Sequence, residues 1–269
     1  MHTLNTIIQS KLNSVVSKKE LYPIKLLEKS IYFKSEPVSL SKYLLRSDKI
    51  GLIAEFKRAS PSRGLINKYA KIEEISVGYM QAGASAISVL TDEEFFSGKN
   101  EDLITTRELN FCPILRKDFI IDSYQIIESK SIGADAILLI ADILTKKQIK
   151  EFTQLAENLG MEVLLEIHSK DEIQKASSKN SIIGVNNRNL NNMKTSLENS
   201  ISLIQHIKDF PIRISESGIN SAEDIVELGF AGYNGFLIGT RFMQTPHPHV
   251  ECKKFVTYVK DKRKSLCLA

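Results

Sequence analysis

Eight short apolar runs, each separated from the next by a segment of helical periodicity, constrain the fold of this 269-residue chain more than any other feature. Most of the runs are continuous rather than alternating, which is typical of parallel strands buried on both faces. Strands that alternate with helices at this spacing indicate a parallel sheet. The predicted strands span residues 51–56, 86–90, 113–115, 136–140, 162–167, 182–186, 212–216 and 235–238.

The segments between these runs carry signals for helix starts and ends. Capping-box spacing occurs in four pairs, Thr145 with Gln148, Ser169 with Glu172, Thr195 with Glu198 and Ser221 with Asp224. Helix ends are predicted just before Gly83, Gly133, Gly160 and Gly229. Eight strand–helix units favour a closed (β/α)8 TIM barrel over an open doubly wound sheet, because the G-x-G-x-x-G turn of such sheets is absent after the first run.

We expect one α/β domain over residues 1–269. Within it, residues 1–48 form an N-terminal helical extension, 49–245 the barrel, and 246–269 a C-terminal helix and tail. A second short helix is predicted over residues 24–31. The first helix begins after Thr3 as its cap, and its apolar face is formed by Leu4, Ile7, Ile8, Leu12, Val15 and Val16.

Composition restricts the classes of function. The 36 basic and 32 acidic residues give a net charge of +4, which is too small and too dispersed to indicate nucleic-acid binding. No apolar run is long enough to span a bilayer or to serve as a signal peptide. The three cysteines show neither metal-type nor redox-type spacing. We therefore expect a cytoplasmic protein without a bound metal.

Polar residues gather where the predicted strands end. In a (β/α)8 barrel, the carboxyl ends of all eight strands meet on one face, and barrel enzymes carry their active sites there. The residues at these ends are Glu55, Lys57, Thr91, Asp92, Lys117, Asp118, Asp142, Glu166, His168, Asn186, Arg188, Glu216, Ser217, Gly239 and Thr240.

Lys117 follows Ile114-Leu115-Arg116 and Glu166 follows Val163-Leu164-Leu165, so both should be partly buried in the barrel mouth. Partial burial lowers a lysine pKa and raises a carboxylate pKa, which favours proton transfer near neutral pH. A structural ion pair between the two is the alternative. Small residues after the last two strands, Ser217-Gly218 and Gly239-Thr240, predict an anion site.

With these residues assembled, the chain resembles indole-3-glycerol phosphate synthases from its N-terminal helix to about Met243. The motifs that carry the resemblance are IAEFKRASPS at 53–62, LTD at 90–92 with FFSG at 95–98, PILRKDF at 113–119, LEI at 165–167, IGVNNRNL at 183–190, SESGI at 215–219 and LIGT at 237–240. Arg241 departs from the small residue of that pattern and either binds phosphate or points to solvent.

The resemblance implies ring closure of 1-(2-carboxyphenylamino)-1-deoxyribulose 5-phosphate, with loss of carbon dioxide and water, in tryptophan biosynthesis. Lys117 would be the general acid, Glu166 would act in the dehydration, and Lys57 would grip the substrate carboxylate. Glu55, Asn186 and Glu216 would hold that network and the sugar hydroxyls. The phosphate would lie among Ser60, Ser217, Gly218, Gly239 and Thr240, the anthranilate ring among Phe96, Leu138 and Leu237, and Arg188 near the carboxylate.

The resemblance implies no metal and no organic cofactor. We expect a monomer that acts on a small phosphosugar-anthranilate, with association with other tryptophan-pathway enzymes as a further expectation and without nucleic-acid or membrane partners. Three rivals stay open at this point: a phosphoribosylanthranilate isomerase, a Schiff-base aldolase that uses Lys57 or Lys117, and a catalytically silent barrel that serves as a binding module.

Overall fold

The computed structural model of the chain describes residues 4–176, 182–189 and 194–267. Eight parallel strands close into a barrel in which the first strand pairs with the last, Leu52 lying opposite Phe236. The predicted (β/α)8 barrel is therefore confirmed. The strands are β1 (Leu52–Phe56), β2 (Ala86–Leu90), β3 (Ile114–Lys117), β4 (Ala136–Ile140), β5 (Glu162–Ile167), β6 (Ile182–Asn186), β7 (Ile212–Glu216) and β8 (Gly235–Ile238).

Helices surround the barrel and cover its carboxyl end. They are α1 (Leu4–Leu21), α2 (Ile24–Leu27), α3 (Leu40–Leu44), α4 (Ile72–Gln81), α5 (Glu93–Phe96), α6 (Asn100–Leu109), α7 (Ser123–Ser131), α8 (Lys146–Asn158), α9 (Lys170–Ile173), α10 (Glu198–Leu203), α11 (Ala222–Ala231), α12 (Thr240–Met243) and α13 (Pro248–Cys267). A short antiparallel hairpin, Ala59–Ser60 with Gly64–Leu65, follows β1. Over the described ranges, no helix has the length and apolarity needed to cross a membrane.

The helix start signals are partly confirmed. Thr145 and Ser221 form complete capping boxes at α8 and α11. Ser169 precedes α9 as predicted, but its hydroxyl donates to the Glu172 carboxylate and caps no backbone N–H. The prediction at Thr195 was wrong, because Thr195 forms a β-bridge and α10 begins without a side-chain cap. Capping spacing thus failed where the loop found another hydrogen-bonding partner.

The predicted helix ends are also partly confirmed. Gly83, Gly133 and Gly160 each stand one residue beyond a helix cap with positive φ values of 96°, 90° and 78°. Gly229 was wrong as a helix end, because it lies inside α11, and Gly232, with φ of 120°, is the residue that caps it. The residue that ends a helix this way must adopt a left-handed conformation, and glycine does so without strain.

The period of two along the strands builds a layered interior. An apolar layer is formed by the buried side chains of Ile53, Leu115, Leu164, Ile214 and Leu237. The residues two positions further along the same strands form the next layer, Glu55, Lys117, Glu166, Glu216 and Gly239, and these line the cavity at the barrel mouth. Strand β3 continues two residues beyond its predicted end at Leu115, so Lys117 is part of the strand itself.

The N-terminal extension departs from its predicted pattern. Helix α1 buries Ile7, Lys11 and Val15, whereas Leu12 and Val16, predicted for the apolar face, are 44% and 60% exposed. The buried stripe follows a spacing of four residues and includes a lysine, which a purely apolar template does not recognise. Helix α2 ends at residue 27 rather than 31, and the predicted cap at residue 3 lies outside the described residues.

Candidate active site

A cavity of about 250 Å³ opens at the carboxyl end of the barrel. Its walls come from the strand ends, the hairpin after β1 and the first turns of α1. Every residue predicted for the site lines this cavity: Glu55, Lys57, Ser60, Phe96, Lys117, Leu138, Glu166, Asn186, Arg188, Glu216, Ser217, Gly218, Leu237, Gly239 and Thr240. The barrel therefore brings together residues that are spread over most of the chain.

Lys117 and Glu166 form the central pair of the cavity floor. Lys117 Nζ lies 3.1 Å from Glu166 Oε2, and the Asn186 side-chain amide donates to Glu166 Oε1 at 3.1 Å. Burial alone would lower the pKa of Lys117, but the carboxylates of Glu166, Glu216 and Glu55 outweigh it and raise the pKa above its ordinary value. Lys117 is therefore charged at neutral pH.

The pKa of Glu166 is lowered, because Lys117, His168 and the Asn186 hydrogen bond outweigh the effect of burial. The pKa directions expected from burial alone were thus wrong for both Lys117 and Glu166, and the two side chains form the ion pair that was the alternative. A Schiff base requires a neutral amine, so the charged state of Lys117 disfavours the aldolase reading of this residue.

Glu216 is the exception among the buried carboxyl groups. It is 1% exposed, and within the described part of the chain no N–H or O–H group donates to either of its oxygens, although its own proton can be shared with the neighbouring Glu166 carboxylate. Burial and the negative charge of Glu166 raise its pKa well above the ordinary value, although Lys117 acts in the opposite direction. Gly184 provides the room for this side chain, since a Cβ there would stand 2.1 Å from Glu216 Oε1.

Lys57 lies one residue beyond β1 and forms an ion pair with Glu55, the carboxylate of that strand that points into the barrel. Its Nζ is 2.5 Å from Glu55 Oε1. Gly239 leaves space for this pair, because a Cβ on Gly239 would stand 2.2 Å from the same oxygen. Glycine at this strand end is therefore required by Glu55 as well as by any anion that binds beside β8.

One side of the cavity is apolar. Phe96 at the end of α5 and Phe119 after β3 line it, with ring centroids 6.0 Å apart. Leu138 and Leu237 also line the cavity, from β4 and β8, which lie opposite each other in the barrel. Phe119 was missed in the sequence, because a phenylalanine that follows a strand reads as core. A flat aromatic ligand group fits such a slot, since aromatic rings pack edge-to-face and offset against each other.

The opposite side carries hydroxyl groups, glycines and cations. Ser217 and Gly218 have consecutive positive φ values of 67° and 80°, a conformation in which successive backbone N–H groups can point to one anion. Arg188 Nη1 lies 3.4 Å from Ser62 Oγ of the hairpin loop. Arg63 of the same loop also lines the cavity, and the sequence reasoning missed it, because a lone arginine in a loop reads as solvated.

Of the remaining residues of the predicted polar ring, Asp118 also lines the cavity, whereas Thr91, Asp92, Asp142 and His168 do not. Thr91, Asp92 and Asp118 belong to a buried hydrogen-bond network that α1 closes. Asp142 is exposed and does not line the cavity. His168 stands behind Glu166, with Nε2 3.4 Å from Glu166 Oε1. Arg241 lines the cavity, and its guanidinium forms an ion pair with Glu251 of α13 at 2.8 Å. Its side chain therefore does not point freely into solvent.

Comparisons with known proteins agree with this geometry. Residues 4–255 match the family model described as indole-3-glycerol phosphate synthase. A protein of that name from Bacteroides thetaiotaomicron is 46% identical over 253 residues, covering 94% of this chain and 97% of the relative. One from Carboxydothermus hydrogenoformans is 42% identical and covers 91% and 96%. A solved tryptophan synthase alpha-subunit mutant from Pyrococcus furiosus, at 15% identity and a TM-score of 0.58, covers 79% of this chain and 98% of its own and shares the fold.

Proposed function

Because the chain belongs to the indole-3-glycerol phosphate synthase family, we propose that its cavity closes the indole ring of 1-(2-carboxyphenylamino)-1-deoxyribulose 5-phosphate with Lys117 as the general acid. The reaction joins the carboxylate-bearing ring carbon to the ribulose carbonyl carbon and releases carbon dioxide and water. One observation carries the proposal: a charged lysine stands beside buried carboxyl groups on the floor of a cavity that is apolar on one side and cationic on the other.

Lys117 supplies the proton for the first step. As the ring carbon attacks, negative charge develops on the carbonyl oxygen, and a proton from the ammonium of Lys117 neutralises it. The raised pKa keeps the lysine protonated before the reaction. A positioned general acid of this kind typically contributes about 10²- to 10⁴-fold in rate. Loss of carbon dioxide from the attacking ring carbon, which the new bond has made tetrahedral, then restores the aromatic ring.

Glu166 acts in the second half of the reaction. The hydroxyl group left by the former carbonyl oxygen departs as water, and this dehydration needs proton transfer at the same edge of the ring. Glu166 contacts both Lys117 and the Asn186 amide. Its pKa is lowered, so its carboxylate takes a proton from the CH2 carbon beside the nitrogen and gives a proton to the departing hydroxyl, which leaves as water while the ring double bond forms. Glu216, which receives no hydrogen bond from the described side chains, is placed to bind a substrate hydroxyl.

The two anionic groups of the substrate bind at opposite parts of the cationic side. Lys57 and Arg188 bind the carboxylate, which orients the attacking carbon toward the carbonyl. Ser60, Ser217, Gly218, Gly239 and Thr240 surround the phosphate with hydroxyl groups and backbone N–H groups. Phe96, Leu138 and Leu237 hold the aromatic ring, which carries the carboxylate. The arrangement therefore fixes the ring and its carboxylate at one end and the sugar phosphate at the other.

The direct test is incubation of the purified chain with the carboxyphenylamino deoxyribulose phosphate. The chain contains no tryptophan, so the appearance of indole fluorescence reports product without a protein background. Carbon dioxide should be released in equal amount. A matched control is Lys147→Ala, which removes an exposed lysine of α8 and should leave the rate unchanged. Absence of indole and of carbon dioxide at high enzyme concentration would overturn the proposal.

The family match disfavours the isomerase and the silent binding module. The family match does not determine the oligomeric state or the cellular compartment of the protein. We infer a monomer in the cytoplasm, because one chain supplies every residue of the predicted site. Size-exclusion chromatography coupled to light scattering should give the mass of one chain, about 30.3 kDa. A dimer that persists at nanomolar protein concentration would contradict the inference.

A further inference from the structure

Helix α1 carries a lysine on its buried face. Lys11 is 8% exposed, and its ammonium lies 2.7 Å from Asp92 Oδ2 and 2.8 Å from Asp118 Oδ1. Burial alone would lower the pKa of Lys11, but the charges of Asp118 and Asp92 outweigh it and hold the pKa above its ordinary value. A charged side chain from the extension therefore binds two carboxylates that follow neighbouring strands of the barrel.

Each of these aspartates holds one phenylalanine of the apolar wall. Asp92 Oδ1 accepts the backbone N–H of Phe95 at 2.9 Å and caps α5, whose last residue is Phe96. Asp118 Oδ1 accepts the backbone N–H of Phe119 at 2.8 Å. The rings of Phe96 and Phe119 pack against each other in this wall, tilted by 42° with centroids 6.0 Å apart. Lys11 is thus one hydrogen bond away from both segments that carry the slot.

Asp118 also connects Lys11 to pairs behind β3. Its Oδ2 accepts the Thr91 hydroxyl at 2.7 Å and lies 3.2 Å from Arg116, and Arg116 binds Glu128 at 2.6 Å. We name one group of residues the paired cluster: Lys11, Asp92, Arg116, Asp118 and Glu128. Each carboxylate in it has a cationic partner. Buried polar networks that are fully satisfied are rigid, so the cluster gives the slot a fixed support.

We propose that Lys11 is a positioning residue that holds the two rings of the apolar wall, Phe96 and Phe119, in place through Asp92 and Asp118. The proposal rests on the proposed function only for the identity of the ring, the 2-aminobenzoate part of the substrate. Lys11 lies outside the polar layer that carries the chemistry. Without its ammonium, two buried carboxylates repel each other, and the segments that hold Phe96 and Phe119 move apart.

The test compares Lys11→Met with Lys19→Met. Lys19 lies on the same helix and also binds one carboxylate, Asp122, at 2.7 Å, but its side chain is 45% exposed. Three quantities are measured for each variant: kcat, the KM of the substrate, and the inhibition constant of inorganic phosphate. For Lys11→Met we expect a KM about tenfold higher and a kcat within about threefold, because misplacement of a binding group weakens binding of the ring.

The phosphate inhibition constant should change by less than about twofold, since the phosphate site lies across the mouth and independent sites behave additively. Lys19→Met should alter none of the three quantities. Rescue should come from Lys11→Arg, which retains the charge and should return the KM to within about threefold of the original value. An unchanged KM in Lys11→Met, or a parallel rise of the phosphate constant, would overturn the proposal.

Two further measurements keep the proposal separate from folding and from the proposed function. Asp92→Asn retains an acceptor for the cap of α5 but weakens the bond to Lys11, and it should raise the KM by about threefold, a fraction of the Lys11→Met effect; no rise would count against the proposal. Calorimetric binding of N-methyl-2-aminobenzoate probes the slot without turnover. If the original chain binds this compound without turning over the substrate, the proposed function fails, and weaker binding in Lys11→Met still supports the role of Lys11.

Discussion

Arg116 and Lys117 are consecutive residues of β3, and their side chains lie on opposite faces of the strand in two different groups of charges. Arg116 belongs to the paired cluster, in which it binds Asp118 and Glu128. Lys117 belongs to a second group, here named the site cluster, which lines the cavity: Glu55, Lys57, Lys117, Glu166, Asn186 and Glu216. Most members of both groups are buried.

The two clusters differ in how completely their charges are paired. In the paired cluster, three carboxylates share two cations, and each carboxylate lies within 3.2 Å of one of them; Lys18 adds a further cation 3.5 Å from Glu128. The site cluster also has three carboxyl groups and two lysines, but among the described residues only Glu55 and Glu166 form an ion pair with a lysine, and Glu216 receives no hydrogen bond. A buried polar group without a partner destabilises the fold. A carboxyl group without a cationic partner, rather than the burial of charge, therefore distinguishes the cluster that can bind a ligand.

The largest expected effect is on turnover, from the site cluster. Glu166→Gln keeps the shape of the side chain and its contact with Asn186, but it cannot accept a proton. We expect kcat to fall by about 10²- to 10⁴-fold, the usual contribution of a positioned acid–base group, with KM nearly unchanged. Steady-state indole fluorescence measures both. Retention of more than about a tenth of the activity would place the dehydration step on another residue.

A loss of stability is expected from the paired cluster. Glu128→Gln leaves the buried guanidinium of Arg116 with one carboxylate fewer, and breaking such a pair costs about 3 kcal/mol of unfolding free energy. Urea unfolding followed by circular dichroism measures it. The kcat of the folded enzyme should stay within about threefold of the original. A large loss of kcat at full stability would show that the two clusters are not separate in function.

The smallest expected effect is a gain in stability from Glu216→Gln. The folded-state pKa of Glu216 is raised, so the native state holds its proton in a pH range where the unfolded state has lost it. Stability from this group is therefore present at low pH and falls as pH rises above the ordinary value of about 4.3. Glutamine cannot ionise, so the variant should gain about 1 kcal/mol at pH 8, or about 2–4 °C in Tm.

The pH dependence provides the control for this prediction. The difference in Tm between Glu216→Gln and the original chain should shrink toward zero as the pH approaches 4, because glutamate is then protonated in both states. Scanning calorimetry between pH 4 and pH 8 measures it. A constant difference over that range would mean that the effect arises from packing, and a lower Tm at pH 8 would mean that Glu216 is ionised in the fold.

The sequence predicted the barrel and the location of the site cluster at its mouth, because both depend on local order. Continuous apolar strands fix which face each residue occupies, so Glu55, Lys117 and Glu166 could be assigned to the mouth from their position after the runs. The paired cluster was missed for a physical reason. Lys11 reads as an exposed residue of an amphipathic helix, and its partners Asp92 and Asp118 are more than eighty positions away in the chain.

Directions of pKa change could not be predicted from the sequence. They depend on how many opposite charges the fold places around each group, and burial alone gave the wrong direction for Lys117 and Glu166. For Glu216 burial does dominate, because the nearest carboxylate adds to its effect. The last two residues of β3, Arg116 and Lys117, were likewise missed, because two charged residues after an apolar run are typical of a loop, although here both belong to the strand.

The central claim is that neighbouring residues of β3 divide stability and chemistry between them, and one paired measurement tests it most directly. Arg116→Met and Lys117→Met carry the same substitution at consecutive positions, and unfolding free energy and kcat are measured for both. We expect Arg116→Met to lose about 3–5 kcal/mol of stability and Lys117→Met to lose at least about 10²-fold in kcat. Substantial turnover in Lys117→Met, or an equal loss of kcat from the folded Arg116→Met enzyme, would contradict the account.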